Sequence, residues 1–266
     1  MANAIILEPA SMTAVTAPGG SGAGFDPAVV ANDLLGVIWQ SPVSATASLQ
    51  VDLGADTAVD SIVLLGLAGS LASATLTVRM ATAAQGSTFG PSWSDSARSL
   101  LAGTTPPRSG KRKCWWTAPA GAPAACRYIR LNFASLGGSV ALSVGRVIVG
   151  QRITLARNFS FGAVRGVRSQ GSTGFSVTGT PLVRRGAKLR TLGLTFNAVY
   201  ADEVEASVAP LHERCGTDTP IVIITDPDSN AERENRMYFG YLDGSPGTVQ
   251  ARAGSYQADF AMVAVD

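Results

Sequence analysis

The sequence predicts a mainly β protein built from two β-rich parts. Leu49, Val51 and Leu53 alternate with Ser48, Gln50 and Asp52, the two-residue period of a strand with one face buried. Ile62-Val63-Leu64-Leu65 runs without alternation, as in a strand covered on both faces. A long apolar stripe at helical spacing occurs in one place, after Asp202.

Composition bounds the rest. At 266 residues, with 46% hydrophobic and 15% charged, the chain is long enough for one large or two ordinary cores and is not a disordered polymer. Twenty-one Lys+Arg against nineteen Asp+Glu leave a net charge of +2, too little to predict a nucleic-acid partner. No apolar run approaches the ~20 residues of a membrane span, so no membrane insertion is expected. The start, MANAIILEPASM, lacks a basic n-region and predicts a chain made and used without Sec export. Cys114, Cys126 and Cys215 have no metal-ligand spacing and read as three reduced thiols, with a Cys114–Cys126 bridge left open.

In chain order, Ala4 to Leu7 is a short strand, and the Gly/Ser/Pro-rich tract from Pro18 to Gly24 is a loop. Asp26-Pro27 predicts a helical turn through Leu35, with Asp26 as its cap. Gly54-Ala55-Asp56 is read as the turn that ends the Leu49–Leu53 strand. Ala74, Leu76, Val78 and Met80 form another half-buried strand. Residues 82–124 are rich in Gly, Ser, Pro and Thr and predict long loops with one or two short strands. Ile129, Leu131 and Phe133 share a strand face. Val140, Leu142 and Val144 share one too, and a phase slip at Gly145 predicts a bulge before Val147 and Val149.

Beyond Asn158 a clear strand spans Arg190 to Asn197. Asp202 with Glu205 reads as a capping box, and Val204, Val208, Leu211 and Cys215 form the apolar stripe of a helix that Gly216 stops. Pro210 inside it predicts a kink or a helix in two pieces. Strands at Ile221–Thr225 and Arg236–Leu242 and a last one carrying Tyr256, Ala258, Phe260, Met262 and Ala264 complete the chain.

Two resemblances sharpen this. The stretch WQSPVSATASLQVDLGADTAVDSIVLLGL from Trp39, the Ala31-Asn32-Asp33 ahead of it and the RYIRLNF and VGRVIVG strands resemble the discoidin family of galactose-binding-like jelly rolls. That implies an N-terminal jelly-roll β-sandwich over residues 1–155, closing near Gly150, with Trp39 in its core. The later segments LRTLGLTFNAVYADEVEASVAPLHERCGTDTPIVIITDPD, RMYFGYLDG and SYQADFAMVAVD look like the β-barrel domain of distal-tail and minor-tail proteins of long-tailed phages. That implies a C-terminal small α+β barrel with one flanking helix over residues 156–266.

Chemistry is sparse. His212, the only histidine, lies beside a core position, and no nucleophile elbow accompanies it. Asp226-Pro227-Asp228-Ser229-Asn230 imitates a calcium loop, but Ala231 stands where that loop needs Gly and Met237 where it needs Glu, so a turn is expected. Glu203 and Glu205 point apart on a helix and do not flank a scissile bond. No enzyme, cofactor or metal is predicted.

The candidate contacts with a partner or glycan are Trp93, Arg98, Lys111, Arg112, Lys113, Trp115 and Trp116. Exposed aromatic faces stack on sugars or fill partner pockets, and a basic run meets phosphate or an acidic neighbour. The alternatives are that the tryptophans belong to the core and that the basic run is a solvated loop. The resemblances imply a structural component of a phage tail tip or baseplate, a homo-oligomeric ring (trimer or hexamer) contacting tail tube and hub. Its place would be the virion, after assembly in the bacterial host cytoplasm. The other function class is a lectin-like adhesin that binds host-surface glycan.

Overall fold

The computed structural model describes residues 2–244, 246–252 and 254–265. The chain divides into two compact units, one of Leu7–Arg152 with Asp228–Met237, the other of Met1–Ile6, Ile153–Pro227 and Tyr238–Asp266. Two short segments, one ending at Ile6 and one spanning 228–237, thus join the unit built mainly from the other half of the sequence. Both units are antiparallel β structures, and the fold is mainly β.

The first unit is a two-layer sandwich. Among the described residues its larger sheet has six strands, ordered Ala14–Thr16, Ala47–Ala58, Ala125–Ala134, Thr75–Ala81 and Trp93–Ser94, with Arg98–Ser99 also on Thr75–Ala81. Arg146–Gly150, Ser61–Leu67 and Arg112–Thr117 form a second sheet. Leu49, Val51, Val78, Ile129 and Leu131 from the first meet Ile62, Leu64, Trp116 and Val147 from the second in one core. Ser61–Leu67 is buried at every position, as its unbroken apolar run requires. Trp39 is fully buried in this core and donates its indole N–H to Ser21 Oγ at 2.9 Å.

Gly54 does not end its strand. It takes φ +83°, its N–H is held by Asp52 Oδ1 at 2.8 Å, and the strand runs on to Ala58. The ladder to Ala125–Ala134 is irregular here, pairing Asp52 with Tyr128 and Thr57 with Cys126. Glycine reaches this left-handed conformation without a Cβ penalty, so the chain bulges instead of reversing. Gly145 separates Ser143–Val144 from Arg146–Gly150 without the expected bulge: Ser143 faces Ala68 and Arg146 faces Leu65 in one unbroken register, and glycine is needed because a Cβ would stand 3.1 Å from Leu35 O and 3.2 Å from Leu65 O. Val140 lies outside that strand and is exposed, against the shared face read from the sequence. The helical turn after Asp26 is a short 3-10 segment, Pro27–Ala31, with Asp26 Oδ1 accepting from Ala28 N. It stops before Leu35 because Asn32 is extended and its Oδ1 takes the Leu34 N–H at 2.9 Å.

Among the described residues the second unit is built on an eight-stranded sheet, beside a separate two-stranded one of Ser172–Phe175 and Pro181–Arg184. The order of the larger sheet is Arg152–Ile153, Ile5–Leu7, Ile221–Ile224, Met237–Leu242, Ser255–Ala264, Lys188–Tyr200 and Val164–Ser169, with Gly247–Arg252 also on Ser255–Ala264. Ala258, Phe260, Met262 and Ala264 are buried on one face of the last strand. The stripe of Val204, Val208, Leu211 and Cys215 joins Leu194, Phe196 and Phe260 in a second core.

The helical run has three pieces: α Ala201–Glu203, π Val204–Val208 and α Ala209–Cys215. Pro210 offers no N–H, and its ring would press on the carbonyl four residues back. The π turn widens the helix there, with Ala209 N–H bonded five residues back to Val204 O. The cap differs from the expected Asp202–Glu205 box. Tyr200 is the cap, and Glu203 Oε2 reaches back to its N–H at 3.2 Å. Glu203 Oε1 also accepts from Ala156 N, a tertiary contact that helix spacing cannot reveal.

Candidate functional site

The long loops of the sandwich unit are pinned by their short strands. Trp93 pairs with Met80, and Asp95 N–H bonds Val78 O at 2.9 Å, so residues 93–95 continue the sheet edge. Trp116 descends from Arg112–Thr117 into the core, and its ring meets Trp93 edge to face at 6.3 Å. Asp95, its side chain 5% exposed, holds two neighbours: Trp116 Nε1 donates to Oδ2 at 2.7 Å and Arg98 Nε stands 2.8 Å from the same atom. Arg98 Nη1 donates to Thr117 O at 3.2 Å, which locks the guanidinium across the strand end.

Beside this cluster lies an open cleft of ≈ 220 Å³, lined by Arg98, Ser99, Trp115, Thr117 and Arg233, with Leu76, Leu101, Cys114 and Trp116 at its apolar side. The Arg233 guanidinium lies 5.4 Å from the Trp115 ring, and its Nε donates to Ala102 O at 2.6 Å. Desolvation by burial pulls the Arg233 pKa down, while the Cys114 thiol is pushed up to about 12 by its burial, which keeps it protonated and unreactive. Trp115 Nε1 is buried and has no hydrogen-bond partner among the described residues. No carboxylate lines the cleft among the described residues. On the second unit, a shallow cleft of ≈ 550 Å³ is lined by Arg157, Asn197, Arg252, Ser255 and Gln257.

Four of the seven sequence candidates, Trp93, Arg98, Trp115 and Trp116, come together at this cluster. Trp116 is core, Trp93 is half-buried against it, and Trp115 faces the cleft. The basic run divides. Lys111 is exposed, but Arg112 and Lys113 are built into the fold and do not form a solvated loop. Arg112 forks onto the fully buried Glu234, and Lys113 Nζ donates to Met237 O at 2.8 Å. Asp95 and Arg233 were not singled out in the sequence. Asp95, three residues before Arg98 and between Trp93 and Trp116, offered a local signal; Arg233, 118 positions beyond Trp115 (233 − 115), offered none. His212 belongs to the other unit, where it lies buried against Phe260 with ring centroids 5.0 Å apart. Among the described residues no three His, Cys, Asp or Glu side chains group as a metal site.

No family model matches the chain, and no curated protein matches it. Among solved structures it is similar to the lectin domain of lectinolysin complexed with Lewis b antigen, at 16% identity and a TM-score of 0.39, covering 54% of this chain and 96% of that one. It is also similar to chitosan-binding module 1 of a chitosanase/glucanase from Paenibacillus sp. IK-5, at 17% identity and a TM-score of 0.40, covering 54% and 98%. A third is the family 32 carbohydrate-binding module of C. perfringens NanJ in complex with galactose, at 17% and 0.40, covering 55% and 99%. None of these three is a phage tail protein, and at these values they assign no ligand and no residue role to this chain.

Proposed function

We propose that the chain is a non-catalytic glycan-binding protein whose sandwich unit holds a sugar of a cell-surface glycan in the Trp115–Arg98–Arg233 cleft. The cleft itself carries the reading. An indole at its wall offers a face on which an apolar sugar face stacks, and two guanidinium groups offer fixed donors to sugar hydroxyls. Each guanidinium is already oriented by a partner in the fold, so little rotamer freedom is lost on binding. A lining without carboxylates suits retention of a glycan and offers no acid–base pair for its hydrolysis. The discoidin-like sequence of residues 39–67 and the carbohydrate ligands of the structures named above agree with this reading. The test is a glycan array with the full chain, followed by calorimetry on the best sugars. A single-sugar Kd of ~1 mM is expected, tightened by multivalency. An array without sugar-dependent signal, even for a multimerised chain, would overturn it.

A second reading is a structural component of a phage tail tip or baseplate, in contact with tube and hub proteins in the virion. One observation favours it: the second unit exposes an apolar arm around residues 161–188 that suits coverage by a neighbour. Mass spectrometry of purified virions tests it, and absence of the chain from them would exclude it.

A further inference from the structure

The strand Ser255–Ala264 of the helix-bearing unit is irregularly paired on both sides near its start. On one side its ladder to Lys188–Tyr200 matches Phe196 with Ala258 and then Val199 with Tyr256. Asn197 and Ala198 therefore stand opposite Gln257 alone, two residues against one. On the other side Gln250 faces Tyr256 and Arg252 faces Ser255, so Ala251 is the extra residue. Bulges break the alternation of side chains and re-aim those beside them, and they gather next to active sites.

The open cleft of ≈ 550 Å³ on this unit lies at the two bulges. Asn197 comes to it from one bulge and Arg252 from beside the other. Ser255 and Gln257, two apart on one strand face, line it between them. Arg157 completes the wall. Its Nη2 donates to Tyr200 OH at 3.1 Å and its guanidinium lies 5.0 Å from the Tyr200 ring, which holds it in place. That bond uses one N–H of the fork and leaves the others as donors. Arg252 is exposed and, like Arg157, has no carboxylate partner among the described residues. No Asp or Glu lines the cleft among the described residues. Asp259, two positions along the strand, is engaged by Gln257, whose Nε2 donates to its Oδ2 at 2.9 Å.

We infer that this cleft binds a tetrahedral oxyanion, a phosphate or sulfate group, held by Arg157 and Arg252. Hydrogen bonds from guanidinium to an ionised oxygen are the strong ones, and the planar fork of Arg fits phosphate. Asn197, Ser255 and Gln257 add neutral donors from two neighbouring strands. A phosphate or sulfate group has more acceptor oxygens to share among these side chains than a carboxylate has. The inference goes beyond the glycan cleft, whose residues belong to the other unit, and stands or falls without it.

The experiment is calorimetry of the full chain with sodium phosphate, sodium sulfate, sodium acetate and glycerol 1-phosphate, each matched in ionic strength with chloride. Phosphate and sulfate are expected to bind with a Kd of ~1 mM and to raise the melting temperature. Arg157→Gln combined with Arg252→Gln should weaken that binding about tenfold or more, because both charged donors are gone. Asn197→Leu keeps both charges and should still weaken it severalfold, through the lost neutral donor. A control pair, Arg184→Gln with Arg185→Gln, removes the same charge from exposed positions outside the cleft and should bind like the parent. All five substituted side chains are exposed, so every variant should keep the parent's circular dichroism. Tighter binding of glycerol 1-phosphate than of inorganic phosphate would show a group carried on an ester, and the reverse a free ion; either supports the inference. A parent that binds neither phosphate nor sulfate overturns it, as does a cleft pair that binds like the parent. A control pair that loses as much as the cleft pair would reduce the effect to net charge, and acetate bound as tightly as phosphate would show a carboxylate site. Both results would overturn it too.

Discussion

Arg112 and Glu234, 122 residues apart in sequence, form a buried fork. Arg112 Nη2 stands 2.6 Å from Oε1 and Nε 2.9 Å from Oε2 of a carboxylate with no solvent exposure. The same carboxylate accepts from Lys113 N at 3.0 Å and Gly103 N at 3.3 Å, so both oxygens are satisfied. This ties the 3-10 turn Arg233–Arg236 to the strand Arg112–Thr117 within the sandwich unit.

Glu234→Ala should therefore cost about 3–5 kcal/mol, because it leaves a largely buried guanidinium and two backbone N–H groups without their acceptor. Urea unfolding measures the loss, and limited proteolysis should show faster cleavage within residues 228–237. A variant within about 0.5 kcal/mol of the parent would mean that the fork adds nothing to stability.

Trp39→Ala should destabilise the sandwich unit by about 3–5 kcal/mol, through the cavity left by a fully buried indole and loss of its bond to Ser21. Denaturant titration followed by tryptophan fluorescence reads it. An unchanged midpoint would remove Trp39 from the core.

His212 sets an acid limit on the helix-bearing unit. It is buried beside Phe260, both ring nitrogens lack a hydrogen-bond partner among the described residues, and burial lowers its pKa below the usual 6.5. Above the unfolded-state value of about 6.5 both states are neutral and the group is silent. Below it the unfolded chain takes up a proton that the folded chain resists, so stability falls with pH until the folded value is passed. The slope has a ceiling of about 1.4 kcal/mol per pH unit. His212→Leu should flatten that part of the stability–pH curve, and an unaltered curve would rule His212 out as its source.

Ser99→Trp should block the cleft. Ser99 is exposed and lines it, so the bulkier side chain has room outward and melting should stay near that of the parent. Sugar affinity should drop about tenfold or more, in calorimetry with the best array sugar. Undiminished affinity would place the sugar elsewhere on the chain.

Most of the local structure is legible in residue spacing. Burial on one or both faces of a strand follows from spacing alone, and Leu49, Val51, Leu53, the Ile62–Leu65 run, Ile129, Leu131, Phe133 and the 258–264 alternation all lie buried as spacing requires. The stripe Val204–Val208–Leu211–Cys215 is likewise a local property, and Pro210 marked where the helix would deform. The remaining features depend on contacts between segments far apart in the chain. Gly54 supports either a turn or a bulge, and the ladder to Ala125–Ala134 selected the bulge. Lys111, Arg112 and Lys113 are chemically alike in sequence, yet one is solvated and two are fixed in the fold, because a desolvated charge is stable only where its partner waits. For Arg112 that partner lies 122 residues away, a distance over which no local periodicity carries information.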